Sequence, residues 1–139
     1  MKSLSVKLGV VIIGLAIFGY GEVWGADWKL LGSNEKISTY YDAQSVTLPS
    51  ENIVRVWTKM NFTEEGVLDW VGKFGKKYEN LSHLKFLMEI DRAEKKSRRL
   101  SSTFYDNNGI VISSSYSPSE WEFIIPDSVV DSLYEEVCK

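Results

Sequence analysis

The clearest periodicity in the chain runs from Ile53 to Phe62, where Val54, Val56, Thr58, Met60 and Phe62 alternate with Arg55, Trp57, Lys59 and Asn61. Successive side chains of a strand point to opposite faces, so this pattern predicts a strand with one apolar face and one face of bases around a tryptophan. Two shorter strands are expected over 28–31 and 37–41, split by the turn-forming Gly32, Ser33 and Asn34 into a hairpin, with a loop at Pro49 to Asn52. Beyond the long strand the period changes. Val67, Leu68, Trp70, Val71, Phe74 and Tyr78 recur at spacings of three and four, with Glu64, Glu65 and Asp69 early on the other side and Lys73, Lys76 and Lys77 late. That arrangement predicts a helix over 64–78 capped by Thr63, with charges placed as a helix dipole prefers. Gly66, Gly72 and Gly75 each weaken it by ~1 kcal/mol relative to alanine, so packing of its apolar stripe must hold it.

Three further strands are expected. Leu84, Phe86, Met88 and Ile90 are in phase over 84–90, Leu100 and Phe104 over 96–105, and a third runs over 110–116. The last two are joined by Asp106-Asn107-Asn108-Gly109, whose Asn-Gly pair takes the positive backbone angles of a tight hairpin. An extended piece, 121–125, stops at Pro126, and Ser128 followed by Asp131 opens a closing helix with the stripe Val129, Val130, Leu133, Tyr134 and Val137. Strands grouped around tight turns, with one internal and one C-terminal helix, give an α+β domain on an antiparallel sheet of about six strands.

The first 25 residues do not belong to that domain. Lys2 and Lys7 precede an apolar run from Leu8 to Phe18, followed by Gly19, Gly21 and Val23-Trp24-Gly25. This is the pattern of a secretory signal peptide cut before Ala26, and the uncharged stretch ends at Glu22, short of the ~20 residues a spanning helix needs. The expectation is an exported protein of the periplasm, cell surface or medium whose single domain is residues 26–139, with no integral membrane segment after cleavage. The whole chain carries a formal charge of −3, and the signal removes two lysines against one glutamate, so the remainder is more acidic. A general nucleic-acid binder needs the opposite sign.

Catalysis has little to draw on. The one histidine, His83, has no His or Cys partner at metal-ligand spacing, and no nucleophile and base or phosphate-cradling glycine loop accompanies it. A haem reading would set Met60 or Met88 opposite His83, without an attachment motif. The chain is expected to be non-enzymatic, with no cofactor and no metal. Its densest charge feature is Arg92, Lys95, Lys96, Arg98 and Arg99 against Glu94. Two readings stand: a solvated strand entry that guards a sheet edge, or a patch that docks an anion or a protein. Under the second, Lys95, Lys96, Arg98 and Arg99 join Arg55, Trp57 and Lys59 as a candidate binding patch for an extended acidic or polysaccharide partner. Exposed charges of this kind should add under ~1 kcal/mol each to stability. Cys138 is the only cysteine, a free thiol at the edge of the last helix's apolar stripe, where partial burial is expected. Facing water, it would instead join two chains into a dimer in an oxidising compartment.

Several pieces, in order and spacing, resemble the surface-adhesin protein E family of small secreted bacterial proteins. They are Trp28, Tyr40-Tyr41-Asp42-Ala43-Gln44-Ser45, Val54-Arg55-Val56-Trp57, Ile90-Asp91, the Tyr105 to Gly109 turn, Trp121, Ile125-Pro126-Asp127-Ser128 and Val137-Cys138. The resemblance implies export from a Gram-negative cell and, for the best-known member, adhesion to laminin, vitronectin and plasminogen. It also implies a cysteine after Ile-Asp that would pair with the C-terminal one; here Arg92 stands there, which puts that disulfide in doubt. The Tyr41-Asp42 and Tyr105-Asp106 steps read as structural, each an aromatic in the sheet followed by an acid at its turn. The rival to adhesion is a periplasmic accessory or envelope-assembly factor with no host ligand.

Overall fold

A computed structural model describes residues 26–139, so the signal peptide expected over residues 1–25 lies outside the described residues. In chain order the elements are β1 (Trp28–Ser33), β2 (Ile37–Asp42), β3 (Thr47–Ser50), β4 (Ile53–Phe62), α1 (Glu64–Phe74), β5 (Leu81–Asp91), β6 (Lys96–Asp106), β7 (Val111–Ser115), β8 (Glu122–Phe123) and α2 (Val129–Val137). All strand pairs are antiparallel, in the order β1-β2-β4-β5-β6-β7, with β3 attached to β4 and β8 to β6. The α+β expectation holds, and the sheet has eight strands where about six were expected.

The two additional strands are short edge pieces. β3 contains Pro49, read from sequence as loop, and pairs with β4 only at Thr47↔Arg55 and Ser50↔Ile53. Proline is tolerated there because an edge strand leaves half its N–H groups unpaired. β8 shrinks the expected 121–125 strand to two residues, opposite Lys96 and Ser97. The internal helix ends at Phe74 and not at Tyr78: Gly75 turns the chain at φ 112°, and Lys76–Tyr78 forms a separate 3-10 turn.

Both helices lie on one face of the sheet, here called the inner face. The even residues of β4 point to it, and Val54, Val56 and Thr58 are buried. Val130, Leu133, Tyr134 and Val137 of α2 pack with Tyr41, Val54, Val56, Met88, Ile90 and Ile124 to make the core, and Tyr41 Oη donates to Glu136 Oε1 at 3.3 Å. At the other end α1 closes an aromatic cluster, in which Trp70 meets Phe62, Phe74 and Phe104 with ring centroids 5.5, 4.4 and 5.5 Å apart. Packing therefore offsets the poor intrinsic helicity of α1. Thr63 and Ser128 cap the helices as expected, accepting from Gly66 N and Asp131 N, both at 3.1 Å.

Gly66 has a role the helix pattern hides. It is buried, and a Cβ on it would stand 2.2 Å from the carbonyl oxygen of Lys36. α1 reaches the β1–β2 hairpin this closely only because that position has no side chain.

The Asp42 and Asp106 steps are structural. Asp42 Oδ1 accepts from Asp27 N at 2.8 Å and Gln44 N at 3.0 Å, starting a 3-10 turn over Ala43–Ser45. Asp106 Oδ1 accepts from Asn108 N and Ile110 N at 2.8 and 2.9 Å, and Gly109 sits at φ 77° in the hairpin that Asn-Gly predicts.

Candidate functional site

Among the described residues no helix covers the opposite face of the sheet, and the side chains there form ladders across the strands. Along β4 the odd residues point out, among them Arg55, Trp57 and Lys59, and Trp57 is 39 % exposed at the centre. The strand pattern places these three together as the alternation of 53–62 requires.

One ladder crosses the sheet as Tyr40, Lys59, Lys85, Thr103 and Ser114, each directly opposite the next. Lys59 and Lys85 are thus cross-strand neighbours of like charge, an arrangement that costs stability. Each of the two also faces aromatic rings. Lys59 Nζ lies 4.6 Å from the Trp28 ring centroid and 5.8 Å from that of Tyr40, whereas Lys85 Nζ lies 5.4 Å from that of Tyr105. His83 stacks on Tyr105 with centroids 4.8 Å apart and pairs with Ser82 Oγ at 3.1 Å through Nδ1. Met60 and Met88 point to the inner face, opposite to His83, so the residues of the haem reading are not brought together.

Beside this ladder a cavity of about 310 Å³ opens on the same face, lined by Trp28, Asp42, Trp57, Lys85, Thr103 and Tyr105. Only Trp57 of these belongs to the patch expected from sequence. Trp28 and Tyr105 lie far apart along the chain and reach the same cavity only through the four strand pairings that lead from β1 to β6. The available signal was strand phase: Lys85, Thr103 and Tyr105 are each out of step with the apolar Leu84, Phe86 and Phe104.

The next ladder holds a buried charge. Glu89, 4 % exposed, accepts from Arg55 Nε and Nη2 on Oε2 at 3.0 and 2.7 Å, and from Arg98 Nε and Nη2 on Oε1 at 3.1 and 2.9 Å. Burial raises its pKa, and the hydrogen bonds and charges of the two guanidinium groups outweigh that, holding the carboxyl below its usual range. The triad leaves one net positive charge, and Arg98 also covers the Trp121 ring at 4.6 Å.

The basic run 92–99 does not form one free patch. Its strand, β6, pairs with β5 on one side, and on the other Lys96 and Ser97 meet the two-residue β8 while β7 reaches only Ser102 to Tyr105. Lys95, at φ 54° in the turn, reaches α2, pairing with Asp131 at 3.4 Å and standing 5.0 Å from the Tyr134 ring. Lys96 pairs with Glu94 at 3.5 Å and faces the Phe123 ring at 4.7 Å. A bulge in β6, where Leu100 has no partner between the pairs Leu87↔Ser101 and Met88↔Arg99, puts Arg99 on the inner face opposite Met88 and Arg98 on the outer one. Of the four, Lys96 and Arg98 lie on the same face as Arg55, Trp57 and Lys59. Lys95 and Arg98 are not freely solvated charges, because their partners Asp131 and Glu89 have side chains only 17 % and 5 % exposed.

Cys138 is partly buried and packs against the core, as its place at the stripe's edge predicts. Burial pushes its thiol pKa up, and the positive Arg92 opposes this, which puts position 92 within electrostatic reach of the cysteine. Arg92 itself is tied to the β4 turn, donating its backbone N–H to Asn52 O at 2.8 Å and its guanidinium to Glu51 O. Among the described residues no helix is long and apolar enough to cross a membrane.

A family model described as surface-adhesin protein E matches residues 28–139, which is nearly every described residue. No curated protein matches the chain.

Proposed function

The chain belongs to the surface-adhesin protein E family, and from that premise we propose that it is an exported, non-enzymatic protein of a Gram-negative cell surface that binds extracellular matrix or plasma proteins. Laminin, vitronectin and plasminogen are the partners to test first. The supporting observation is the uncovered sheet face, where Arg55, Trp57 and Lys59 stand beside Lys85, Lys96 and Arg98 with aromatic rings between the cations. Such a surface offers an apolar centre and charged surroundings to an acidic partner. Residues 1–25 act in this reading as the cleaved signal that takes the domain out of the cell. The experiment is capture of immobilised laminin, vitronectin and heparin by the purified protein at near-physiological salt; binding to none of them removes the adhesion reading. Protease treatment of whole cells separates it from a periplasmic accessory role. Cleavage on intact cells is expected, and cleavage only after the outer membrane is opened would favour the accessory factor.

A further inference from the structure

We infer that the inner face of the sheet carries a second site, a trough between the two helices that takes a single long-chain fatty acid with its carboxylate at Arg99. The inference does not depend on the adhesion reading, whose surface lies on the opposite face. Two cavities of about 480 and 490 Å³ adjoin there, and Met60 and Phe86 line both. Each alone has the volume of an ordinary ligand pocket, and the shared residues join them into one trough. Met60 lies opposite Thr39 and Phe86 opposite Ser102. The floor therefore crosses four neighbouring strands, β2, β4, β5 and β6, a distance of about 14 Å at the usual strand spacing. Val129 and Val130 of α2 wall the trough at the β2 end, and Trp70 and Phe74 of α1 wall it at the β6 end, with Val129 and Phe74 exposed.

The floor selects an acyl chain over a peptide. Each of the four strands is paired on both sides along it, so their backbone groups are already occupied. A peptide laid there would hold its own amides unsatisfied against Met60, Leu84, Phe86 and Phe104, whereas an acyl chain has no such groups. The ends of the trough differ in charge, and this orients the ligand. Arg99 lines the β6 end. Ser119 fixes its backbone, accepting from Arg99 N on Oγ and donating its own N–H to Arg99 O, both at 2.8 Å. Among the described residues its guanidinium nevertheless makes no ion pair or hydrogen bond, whereas Arg55 and Arg98 share Glu89. A guanidinium fork matches a carboxylate with two hydrogen bonds. Asp127 lines the opposite end, where the N-terminus of α2, beginning two residues later, offsets its charge. The carboxylate head therefore lies at Arg99, and the tail runs over Phe86 and Met60 toward Val129.

Isothermal titration calorimetry of the exported, purified protein with laurate, kept below its micelle concentration, tests the proposal. Saturable binding is expected, about tenfold or more tighter than that of octanoate, because the longer tail buries more methylene groups. Arg99→Gln should weaken laurate about fivefold and leave the uncharged glycerol monolaurate unchanged. Ser102→Trp, which fills the floor, should weaken both about tenfold or more with an unchanged circular dichroism spectrum, and Arg99→Gln serves if that variant does not fold. Absence of laurate binding, equal affinity for octanoate and laurate, or laurate affinity unchanged in a folded Ser102→Trp overturns the trough. Equal affinity for dodecyltrimethylammonium, or laurate affinity unchanged in Arg99→Gln, overturns the assignment of the carboxylate to Arg99. Binding to phosphatidylglycerol vesicles without any response to laurate would mean a membrane surface in place of a free acid, and overturns the proposal as well.

Discussion

Lys59 on β4 lies directly opposite Lys85 on β5, so two like charges share one cross-strand position on the uncovered face of the sheet. Each cation also faces an aromatic ring, Lys59 that of Trp28 and Lys85 that of Tyr105, which offsets the cross-strand repulsion. Lys85→Ala should therefore change stability by less than about 1 kcal/mol in urea unfolding while weakening heparin binding. A larger destabilisation would mean that the contacts of Lys85 hold the sheet as well as its binding face.

Glu89 ties two strands to a third through Arg55 and Arg98. Arg98→Ala leaves one oxygen of a buried carboxylate without its guanidinium. Because Arg98 itself is about a third exposed, the expected loss is about 1–3 kcal/mol, less than for a fully buried pair. The sign with pH follows from the carboxyl being held below its usual range in the folded protein. Its stabilisation is present above the ordinary glutamate pKa and is lost as pH falls through the depressed folded value. Urea unfolding of wild type and variant should thus differ at neutral pH and converge in strongly acid buffer. A gap that persists in acid would show that Arg98 acts through packing on Trp121 instead.

Two glycines of α1 should respond in opposite directions to the same substitution. Gly72→Ala meets nothing within 4 Å and should stabilise the helix by about 0.5–1 kcal/mol. Gly66→Ala, although equally helical in register, drives a Cβ into the Lys36 carbonyl and should destabilise by about 1–3 kcal/mol. Thermal melts of the two variants check this, and a stabilised Gly66→Ala would mean that α1 can move away from the hairpin at little cost.

Gly66 also marks where sequence stops being informative. Its helical environment is visible in the spacing of Val67, Trp70 and Phe74, but the approach of Lys36 is a tertiary contact with no local trace. The same division runs through the rest of the molecule. Strand β4, the Asn107-Asn108-Gly109 hairpin and both caps follow from local pattern and turn chemistry, and the structure has them where that pattern predicts. β3 was hidden because Pro49 reads as loop and only an edge position excuses it. The end of α1 was hidden because its apolar period continues to Tyr78 although Gly75 breaks the backbone. For the candidate site, Arg55, Trp57 and Lys59 were legible as one strand face. That Arg98 and Arg99 part to opposite faces follows from strand alternation, but which of them stays with Arg55 was not legible, because it depends on a bulge at Leu100. The cavity needed Trp28 and Tyr105 to be brought together through the register of β1, β2, β4, β5 and β6.

Arg92 and Cys138 provide a test of how closely this chain follows its family. The family resemblance sets a cysteine at position 92 against the C-terminal one, and the Arg92 charge is felt at the Cys138 thiol; on that basis Arg92→Cys is predicted to form a bridge that ties α2 to the β5 turn and adds ~2 to 4 kcal/mol. Loss of the Arg92 contact to Glu51 is the opposing effect. A thiol count of zero with a raised melting temperature is the expected result. Two free thiols with an unchanged melting temperature would show that the two positions do not meet.

The most direct test of the account compares the two faces of the sheet in one binding experiment. Capture of laminin and vitronectin at near-physiological salt would be measured for the wild type, for Trp57→Ala combined with Lys59→Ala on the uncovered face, and for Leu68→Ala, an exposed position on α1. A loss of about tenfold or more is predicted for the first variant and no change for the second. Equal binding by all three proteins, or a loss confined to Leu68→Ala, would contradict the assignment of the uncovered sheet face as the binding surface.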